Sequence, residues 1–368
     1  MFERRLFFHI DWALLTALLA IVSIGIAMIY STTYVPGADG GHAGPQVRTQ
    51  ITALVLGLVA LVIFLSLDYR MLAEHSLILY AGLAGLLLFV LFKGSTQFGA
   101  QRWIAIGPLN LQPSEFARLT LALILAMFFG ENRRGARNTS DLVIGGFFTL
   151  VPLLLIAKQP DLGTAVTLLP VFFGVAYLAG LRMRLLGVIA LAGVLIAPLA
   201  WKFALEDYQK SRIQMFIDPS QDPQGAGYQT IQARITVGSG GLMGKGFMKG
   251  TQNQYKFLPV AHNDFIFSVL AEEQGFVGVL TVLGLYLFVI IRSLEAARLA
   301  KDRLGAYLVG GIIAGFAFQV IYNVAMSVGL APVKGITLPL MSYGGSSLIA
   351  TMATFGLILN VRMRRFTN

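Results

Sequence analysis

Residues Phe257–Gly275 read FLPVAHNDFIFSVLAEEQG and lead from a polar segment into a long apolar run. The pattern predicts a membrane helix that begins at Asn263 or Asp264. On such a helix, positions 264, 268 and 272 share one face, so Asp264 and Glu272 would lie along the same side. Glu273 follows directly. Carboxylates inside an apolar helix are costly in a lipid bilayer, so they indicate either function or a charged partner.

Composition places the whole chain in a membrane. It is 56% hydrophobic and 12% charged, whereas soluble domains carry roughly 25% charged residues. It has no cysteine, which excludes disulfides and thiolate metal sites. The net charge of +10 would suit nucleic acid in a soluble protein. Here the enrichment of basic residues in cytoplasmic loops explains that charge, so we expect no nucleic-acid partner.

The apolar segments predict an all-α polytopic membrane protein with ten transmembrane helices, because most are close to the ~20 residues that cross a bilayer. The predicted segments are Trp12–Tyr30, Gln50–Leu67, Ser76–Phe92, Pro113–Phe129, Leu142–Ala157, Gly163–Ala179, Leu185–Phe203, Asp264–Ile291, Ala306–Leu330 and Tyr343–Val361. The eighth is long enough that we expect it to tilt, to protrude or to bend near Gly275 or Gly278.

The basic residues predict that both termini are cytoplasmic. With that orientation, fifteen basic residues fall in cytoplasmic loops: Arg4, Arg5, Arg70, Arg133, Arg134, Arg137, Arg182, Arg184, Arg292, Arg298, Lys301, Arg303, Arg362, Arg364 and Arg365. Five fall in short outer loops: Arg48, Lys93, Arg102, Lys158 and Lys334. This asymmetry follows the positive-inside rule. The unusual polar clusters then lie at the outer ends of helices, so the chemistry faces outward.

The chain is predicted to be one transmembrane domain, residues 1–368, with a large outer loop at 202–263 between helices 7 and 8. A loop of this length is usually functional. Its glycines and prolines predict tight turns. Residues 228–237 are expected to form a short amphipathic helix that lies on the membrane.

Three polar elements near the outer face are candidate binding residues. Glu115 and Arg118 are three apart on one helix face, which suits either an internal ion pair or a substrate contact. Asp161 suits the N-cap of helix 6 and a site carboxylate equally. The glycine-rich segment 238–246 contains Lys245 but lacks the spacing of a Walker A motif. It still offers backbone amides for a phosphate.

The histidines lack metal-ligand spacing, and His262 is poorly placed to form a relay with Asp264. The outer face nevertheless gathers charges of both signs. Its cations are Arg102, Arg118, Lys158, Arg212, Lys245 and Lys334, and its carboxylates are Glu115, Asp161 and Asp264. Cations and helix N-termini suit a diphosphate, and a nearby carboxylate suits a general base. A lipid-linked diphosphate attacked by a hydroxyl therefore fits these residues.

The same stretches resemble the SEDS (shape, elongation, division, sporulation) family of peptidoglycan polymerases, with forms closer to RodA than to FtsW. The matching motifs are Gly99–Trp103, Gln112–Glu115, Gln159–Thr164, Asp222–Tyr228, Gly238–Gly246, Gly250–Gln252, His262–Phe267, Ala271–Glu273 and Ser342–Ser346. They cover nearly the whole chain.

The resemblance implies an inverting glycosyltransferase that polymerises lipid II during cell elongation and releases undecaprenyl diphosphate. It implies a multi-pass protein of the bacterial cytoplasmic (inner) membrane, with its active site facing the periplasm or cell exterior. Asp264 would deprotonate the acceptor hydroxyl, and basic residues would stabilise the leaving diphosphate. The substrate-binding candidates are Arg102, Glu115, Arg118, Lys158, Asp161, Arg212, Lys245 and Ser342. Glu272, Glu273 and His262 would organise the cavity.

The resemblance also implies partners and a cofactor. The partners would be a class B penicillin-binding protein, which is a transpeptidase, and other membrane proteins of the elongation machinery (elongasome). A divalent cation, Mg²⁺ or Mn²⁺, near Asp264 is a candidate cofactor, and no organic cofactor is expected.

Two other functions are alternatives. The first is a lipid II flippase or transporter. Against it, the polar clusters crowd the outer side and do not trace a path at the bilayer midplane. The second is a structural scaffold for a wall-building complex, which would leave the embedded acids unexplained.

Some positions depart from the family pattern: Val260, Asn263, Arg118, Ala331 and Lys334. Arginine and lysine are not equivalent at a phosphate, so Arg118 in place of lysine affects how a substrate would be held. Asn263 can cap a helix, and Lys334 adds a cation to the outer face. These departures concern substrate contacts and leave the family resemblance intact.

Overall fold

The computed structural model describes residues 9–34, 42–97, 100–106, 109–131, 139–203, 207–218, 226–255, 257–259 and 261–366. The helices in these ranges are α1 (Trp12–Thr33), α2 (Pro45–Ser66), α3 (Tyr69–Glu74), α4 (Ser76–Lys93), α5 (Ser114–Glu131), α6 (Thr139–Lys158), α7 (Leu162–Val166), α8 (Leu168–Leu178), α9 (Met183–Phe203), α10 (Asp207–Ile217), α11 (Ala226–Ser239), α12 (Thr251–Gln254), α13 (Ile266–Arg298), α14 (Arg303–Ser327) and α15 (Gly345–Met363).

The chain is a mostly helical, multi-pass membrane protein. Among the described residues, seven helices are long and apolar enough to cross a bilayer: α1, α2, α4, α6, α13, α14 and α15. The other predicted segments also contain helices, namely α5, α7 with α8, and α9. The prediction of a helix in each apolar segment is therefore confirmed, whereas ten membrane crossings remain a prediction.

Small residues let the central helices approach one another closely. On α15, a Cβ at Gly356 would lie 2.6 Å from the backbone oxygen of Leu61 in α2. Between α8 and α14, a Cβ at Gly174 would lie 2.6 Å from the Cβ of Ala314. Glycine and alanine at helix contacts are typical of membrane proteins, where close packing drives helix association. Helices α5, α8, α14 and α15 consequently form the buried centre of the bundle.

The prediction of an all-α protein was wrong in one region. Strands β1 (Ser95–Gln97), β2 (Ala100–Ile106) and β3 (Leu109–Leu111) form an antiparallel sheet in the order β1-β2-β3. Residue Ile104 pairs with Leu111, and Ser95 pairs with Trp103. These runs are too short for a stable helix, and β2 carries Trp103, Ile104 and Ile106, which favour strands. From the sequence, this region was expected to be a short outer loop.

The segment 202–263 contains ordered elements. Helices α10, α11 and α12 lie in it, and α11 packs against α13. The prediction of a short helix at 228–237 is confirmed by α11, which is longer at both ends. Its contact with the membrane surface remains a prediction.

Helix α13 is interrupted at Gly275, one of the two glycines near which a bend was among the expected alternatives. The backbone there has φ 66° and ψ −166°. The segment 240–246, here called the glycine loop, fills the interruption through four backbone hydrogen bonds. They are Lys245 N to Glu272 O (2.9 Å), Gly246 N to Glu273 O (2.9 Å), Phe276 N to Gly241 O (2.9 Å) and Val277 N to Leu242 O (3.2 Å). The loop therefore satisfies backbone groups that a continuous helix would have paired internally.

The helix ends that are predicted to face the cytoplasm carry ion pairs. Arg292 and Arg362 both bind Asp11, at 3.0 and 2.8 Å. Arg364 binds Asp68 at 2.9 Å. The basic residues predicted for this side at positions 4, 5, 133, 134 and 137 lie outside the described residues. The two ends of the bundle therefore differ, because basic residues are paired at one end and the candidate site lies at the other.

Candidate active site

Asp264 lies in a turn just before α13. The prediction that the helix begins at Asn263 or Asp264 was wrong, because it begins at Ile266 with Phe265 as its N-cap. The first helical amides, of Ser268 and Val269, donate to the carbonyl oxygen of Phe265. The carbonyl oxygen of Asp264 instead accepts from the side-chain amide of Asn323 at 3.0 Å. Asp264 is therefore held by tertiary contacts and does not share a helix face with Ser268.

The carboxylate of Asp264 is half-buried and points towards Gly335. A Cβ at Gly335 would lie 3.6 Å from Oδ2 of Asp264, an ordinary van der Waals contact, and the positive φ of +69° favours glycine at this position. Burial raises the pKa of Asp264 to about 6, with Arg212 and Arg102 lowering it and Asp161 raising it. Among the described residues, this carboxylate accepts no hydrogen bond. Asp264 is thus an acid poised to take a proton near neutral pH.

Strand β2 places Arg102 beside the start of α7. Its Nε donates to the backbone oxygen of Gln159 at 2.9 Å, its Nη2 donates to the backbone oxygen of Pro160, and its Nη1 lies 3.9 Å from Asp161. The predicted cap is confirmed, because Asp161 accepts from the amide of Thr164 at 3.2 Å. Arg102 is therefore held by the ends of α6 and α7, and it contributes positive charge near Asp264.

Gln112 completes this side of the site by joining the end of β3 to Asp161. Its Nε2 donates to Oδ2 of Asp161 at 2.9 Å, and its backbone amide donates to the hydroxyl of Ser346 at 2.9 Å. The polar residues that precede α5, α7 and α15 therefore lie close together. This agrees with the prediction that the polar clusters lie at the same ends of the helices.

Glu115 and Arg118 form an ion pair of 2.6 Å at the start of α5, which confirms the internal pairing considered from the sequence. The two side chains line a small, partly open cleft between α5, α7 and α14. The other lining residues are Thr164, Thr167, Gln319, Gly335, Ile336 and Thr337. Gly335 also adjoins Asp264, so the cleft leads towards the candidate base.

Residues 332–337, here called the 332–337 loop, bind the cation Arg212 and include Lys334. Arg212 donates to the backbone oxygen of Val333 at 3.1 Å, and it is the cation that lowers the pKa of Asp264 most. Burial and the charge of Arg212 lower the pKa of Lys334. A Cβ at Gly163 would lie 2.6 Å from the backbone oxygen of Lys334, so α7 packs tightly against this loop.

His262 and Ser342 support the turn from the side of α15. The ring of His262 packs edge-on against Tyr343, with ring centres 5.5 Å apart, and its backbone oxygen accepts from the amide of Tyr343 at 2.9 Å. Burial lowers the pKa of His262, which favours the neutral ring. The hydroxyl of Ser342 accepts from the amide of Leu338 at 2.8 Å. Both residues therefore contact backbone segments that flank the site.

Lys245 forms an ion pair with Glu272, eight residues beyond Asp264. Its Nζ lies 2.7 Å from Oε1 of Glu272, which also accepts from the amide of Gln252 and the hydroxyls of Ser239 and Thr251. Glu273 accepts from the hydroxyl of Ser31 and from the amide of Met248. Both glutamates are 0% exposed. Their hydrogen bonds fasten residues 239–252 to α1 and α13. Lys158 is exposed at the end of α6.

The donor set for a metal consists of Asp264 and few other groups. Within the described ranges, no group of three histidine, cysteine, aspartate or glutamate side chains could hold an ion. Magnesium is, however, commonly held by one or two carboxylates together with substrate phosphates. Asp264 fits that mode as a single protein ligand.

Several residues of the site were not expected from the sequence: Gln319, Asn323, Gly335 and Thr337. Gln319 and Asn323 lie four apart on α14, inside an apolar helix, and this spacing was a signal for a shared polar face. Of the departures from the family pattern, Val260 lies outside the described residues. Asn263 does not cap α13, and its Oδ1 is buried with no partner in the part of the chain that the structure describes.

Comparison with protein families gives a match over almost the entire chain. The family described as "Cell cycle protein", which comprises FtsW, RodA and SpoVE, matches residues 11–366. The peptidoglycan glycosyltransferase MrdB of Escherichia coli (strain K12) is 39% identical over 359 residues, which cover 97% of this chain and 94% of MrdB.

Solved structures have the same fold. A chain in a peptidoglycan synthase complex that coordinates polymerisation and crosslinking superposes with a TM-score of 0.82 at 36% identity, covering 98% of this chain and 99% of that chain. The rod shape determining protein RodA of Thermus thermophilus superposes with a TM-score of 0.71 at 32% identity, covering 98% of each chain.

Proposed function

The chain belongs to the family of FtsW, RodA and SpoVE, and from this premise we infer that it is a peptidoglycan glycosyltransferase of the RodA type. The relatives' names and the structural neighbours support this activity and a role in rod shape. The substrate is lipid II, a sugar carried on a lipid diphosphate. The residues around Asp264 suit this substrate, because they combine an acid with several cations.

Asp264 is the general base of the proposed reaction. It takes the proton of the acceptor sugar hydroxyl while the oxygen attacks the anomeric carbon of the donor. The new carbon–oxygen bond forms as the bond to the phosphate breaks, and the configuration inverts. The electron pair leaves with undecaprenyl diphosphate. The carrying observation is the half-buried carboxylate with a pKa of about 6, which accepts no hydrogen bond from the described residues.

The leaving diphosphate would be stabilised by cations on the same side. Arg102 and Arg212 act on the charge of Asp264, and Lys334 lies on the 332–337 loop that Arg212 binds. Arg118 and Lys158 are the remaining candidates on this side of the molecule. Positive groups fixed before the reaction stabilise charge that develops in the transition state. Lys245 is paired with Glu272, so its contribution to the leaving group would be small.

A divalent cation at Asp264 is part of the proposal. The ion would be held by this carboxylate and by substrate phosphates, and it would supply positive charge for the leaving group. We expect polymerisation to fall when the purified protein is treated with a chelator and to return when Mg²⁺ or Mn²⁺ is added. Full activity in the chelator would remove the ion from the proposal.

The active site faces the exterior of the bacterial cytoplasmic membrane. Counting α5, α7 with α8, and α9 as spans gives ten crossings and two cytoplasmic termini. The gathering of Asp264, Arg102 and Asp161 at the predicted outer helix ends supports this orientation. The large loop 202–263 would then be extracytoplasmic, within a single transmembrane domain.

A class B penicillin-binding protein is the proposed partner, together with other membrane proteins of the elongation machinery. The similar chain from a synthase complex supports an assembly in which polymerisation and crosslinking are coordinated. The transpeptidase would crosslink the strands that this chain makes.

The test is polymerisation of labelled lipid II by the purified chain with its transpeptidase partner. Asp264→Asn should lower turnover by about 10²–10⁴-fold, since this is the usual contribution of a general base. Asp68→Asn is a matched control, because Asp68 caps α3 and pairs with Arg364 far from the site, and asparagine also caps helices. Polymerisation at the normal rate by Asp264→Asn would reject the base assignment. Translocation of lipid II without polymer would favour a flippase.

A further inference from the structure

One face of α14 is fastened to the 332–337 loop by three side chains. The hydroxyl of Tyr322 donates to the backbone oxygen of Pro332 at 2.9 Å. The side-chain amide of Asn323 donates to the backbone oxygen of Ile336 at 2.6 Å. The side-chain amide of Gln319 donates to the backbone oxygen of Thr337 at 3.0 Å. The position of this loop therefore depends on polar side chains within an otherwise apolar helix.

Asn323 differs from the other two because it also reaches the turn of Asp264. Its Nδ2 donates to the backbone oxygen of Asp264 at 3.0 Å as well as to that of Ile336. An amide nitrogen has two hydrogens, so both are used. Asn323 is 0% exposed. A single buried group thus joins the two backbone segments that flank the carboxylate of Asp264.

These two segments meet at the carboxylate itself. Gly335 directly precedes Ile336, and a Cβ there would lie 3.6 Å from Oδ2 of Asp264. Arg212 binds Val333 on the same loop and lowers the pKa of Asp264. A displacement of the loop would therefore change both the space around the carboxylate and the distance of a neighbouring cation.

The side-chain oxygen of Asn323 argues that this residue does more than stabilise the fold. Its Oδ1 is buried and has no hydrogen-bond partner among the described residues. A buried acceptor without a partner costs folding free energy, and an apolar side chain of the same shape would avoid that cost. The two hydrogen bonds that the amide donates are what an apolar side chain cannot replace.

We propose that Asn323 is a positioning residue that holds Asp264 in the orientation needed to accept the proton of the acceptor hydroxyl. The proposal rests on the proposed function, in which Asp264 is the general base. Asn323 acts through the backbone of the turn and does not touch the substrate. Its role is to fix the distance between the Asp264 carboxylate, the 332–337 loop and Arg212.

The test compares two buried asparagines that make the same kind of contact. Asn323→Leu keeps the approximate shape and removes both donors, and it should lower turnover by about 10–100-fold while KM stays within about twofold, because small misplacements of a catalytic group are costly. Asn360→Leu is the matched control, because Asn360 is also 0% exposed and donates both amide hydrogens to backbone oxygens, those of Leu65 and Leu67, with no link to Asp264. Its turnover per folded molecule should stay within about twofold of the unaltered protein.

Turnover per folded molecule, measured together with KM, separates positioning from a loss of folded protein. A misplaced base lowers turnover and leaves KM near its normal value, whereas a loss of folded protein lowers the amount of active enzyme and leaves turnover per folded molecule unchanged. If Asn323→Leu does not fold, Asn323→Ser is measured per folded molecule.

Two results would overturn the inference. One is turnover of Asn323→Leu within twofold of the unaltered protein, and the other is turnover per folded molecule that falls equally in Asn323→Leu and Asn360→Leu. Asp264→Asn is assayed in parallel. If that variant polymerises normally, the proposed base is wrong whatever Asn323 does. If it is inactive and Asn323→Leu is normal, only the positioning role is wrong.

Discussion

Asp264 and Glu272 are eight residues apart and have opposite surroundings. Glu272 is fully buried and accepts from Lys245, Ser239, Thr251 and the amide of Gln252. Asp264 is half-buried and accepts no hydrogen bond within the described part of the chain. An acid whose oxygen is already paired stabilises the fold, whereas an acid held in place by its backbone can still accept a proton. The comparison distinguishes an acid that stabilises the fold from an acid that can still accept a proton.

The largest loss of stability is expected for a substitution in the glycine loop. Gly244 has φ +77°, and a Cβ there would lie 2.2 Å from the backbone oxygen of Glu273. Gly244→Ala therefore combines a strained backbone with a clash against the main chain of α13, and we expect a loss of about 3 kcal/mol or more of stability. The measurement is the melting temperature in detergent.

Gly238→Ala is the matched control for that substitution, because a Cβ at Gly238 would have open space around it. It should melt close to the unaltered protein. Equal melting temperatures for the two alanine variants would mean that the glycine loop does not need to pack tightly into the interruption of α13.

Glu272→Gln tests whether the buried carboxylate is structural. The amide keeps the shape but weakens the ion pair with Lys245, so stability should fall by about 1–3 kcal/mol. Turnover per folded molecule should fall far less than in Asp264→Asn. Melting temperature and lipid II polymerisation are measured on the same preparation. A loss of turnover as large as that of Asp264→Asn, with normal stability, would place Glu272 in the chemistry.

Adding Lys245→Met to this variant sharpens the result. If the two residues stabilise the fold through their pairing, the double variant should be less destabilised than the sum of the single ones. Simple additivity would assign the effect of Glu272 to its other hydrogen bonds, those from Ser239, Thr251 and Gln252.

The pH dependence of polymerisation tests Asp264 as the general base. Its expected effect is the smallest among these predictions. The pKa of Asp264 is raised to about 6, and a general base acts when deprotonated. Turnover should therefore be constant above about pH 7 and should fall on acidification, to about one tenth at pH 5, which corresponds to about 1.4 kcal/mol. Initial rates between pH 5 and 8 provide the measurement. Turnover that rises on acidification would contradict a base with this pKa.

Much of the fold could be predicted from the sequence because membrane helices are determined by local composition. A run of about 20 apolar residues must pair its backbone internally, so each predicted segment contains a helix. A bend near Gly275 or Gly278 was one of the alternatives expected for the long eighth segment, and the structure places the interruption at Gly275, where glycine tolerates the positive φ. The small sheet was not, since strand pairing joins segments that show no helical period and are individually very short.

Prediction of the site was less complete. The residue types and their gathering near the outer helix ends were inferred, and Asp161 was correctly expected to cap a helix. The helical placement of Asp264 was wrong because Asn323, 59 residues away in sequence, binds its carbonyl oxygen. A local pattern cannot reveal which distant donor takes a backbone acceptor.

The sequence by itself determined the membrane class, the helical segments, the acidic and basic residues and the family resemblance, because these depend on residue type and spacing. Only the tertiary structure decided that Glu272 and Glu273 are buried and paired, whereas Asp264 is left in a turn beside Gly335. Burial and hydrogen bonding depend on which segments meet. These contacts separate three similar acids into two that hold the fold together and one that is placed to accept a proton.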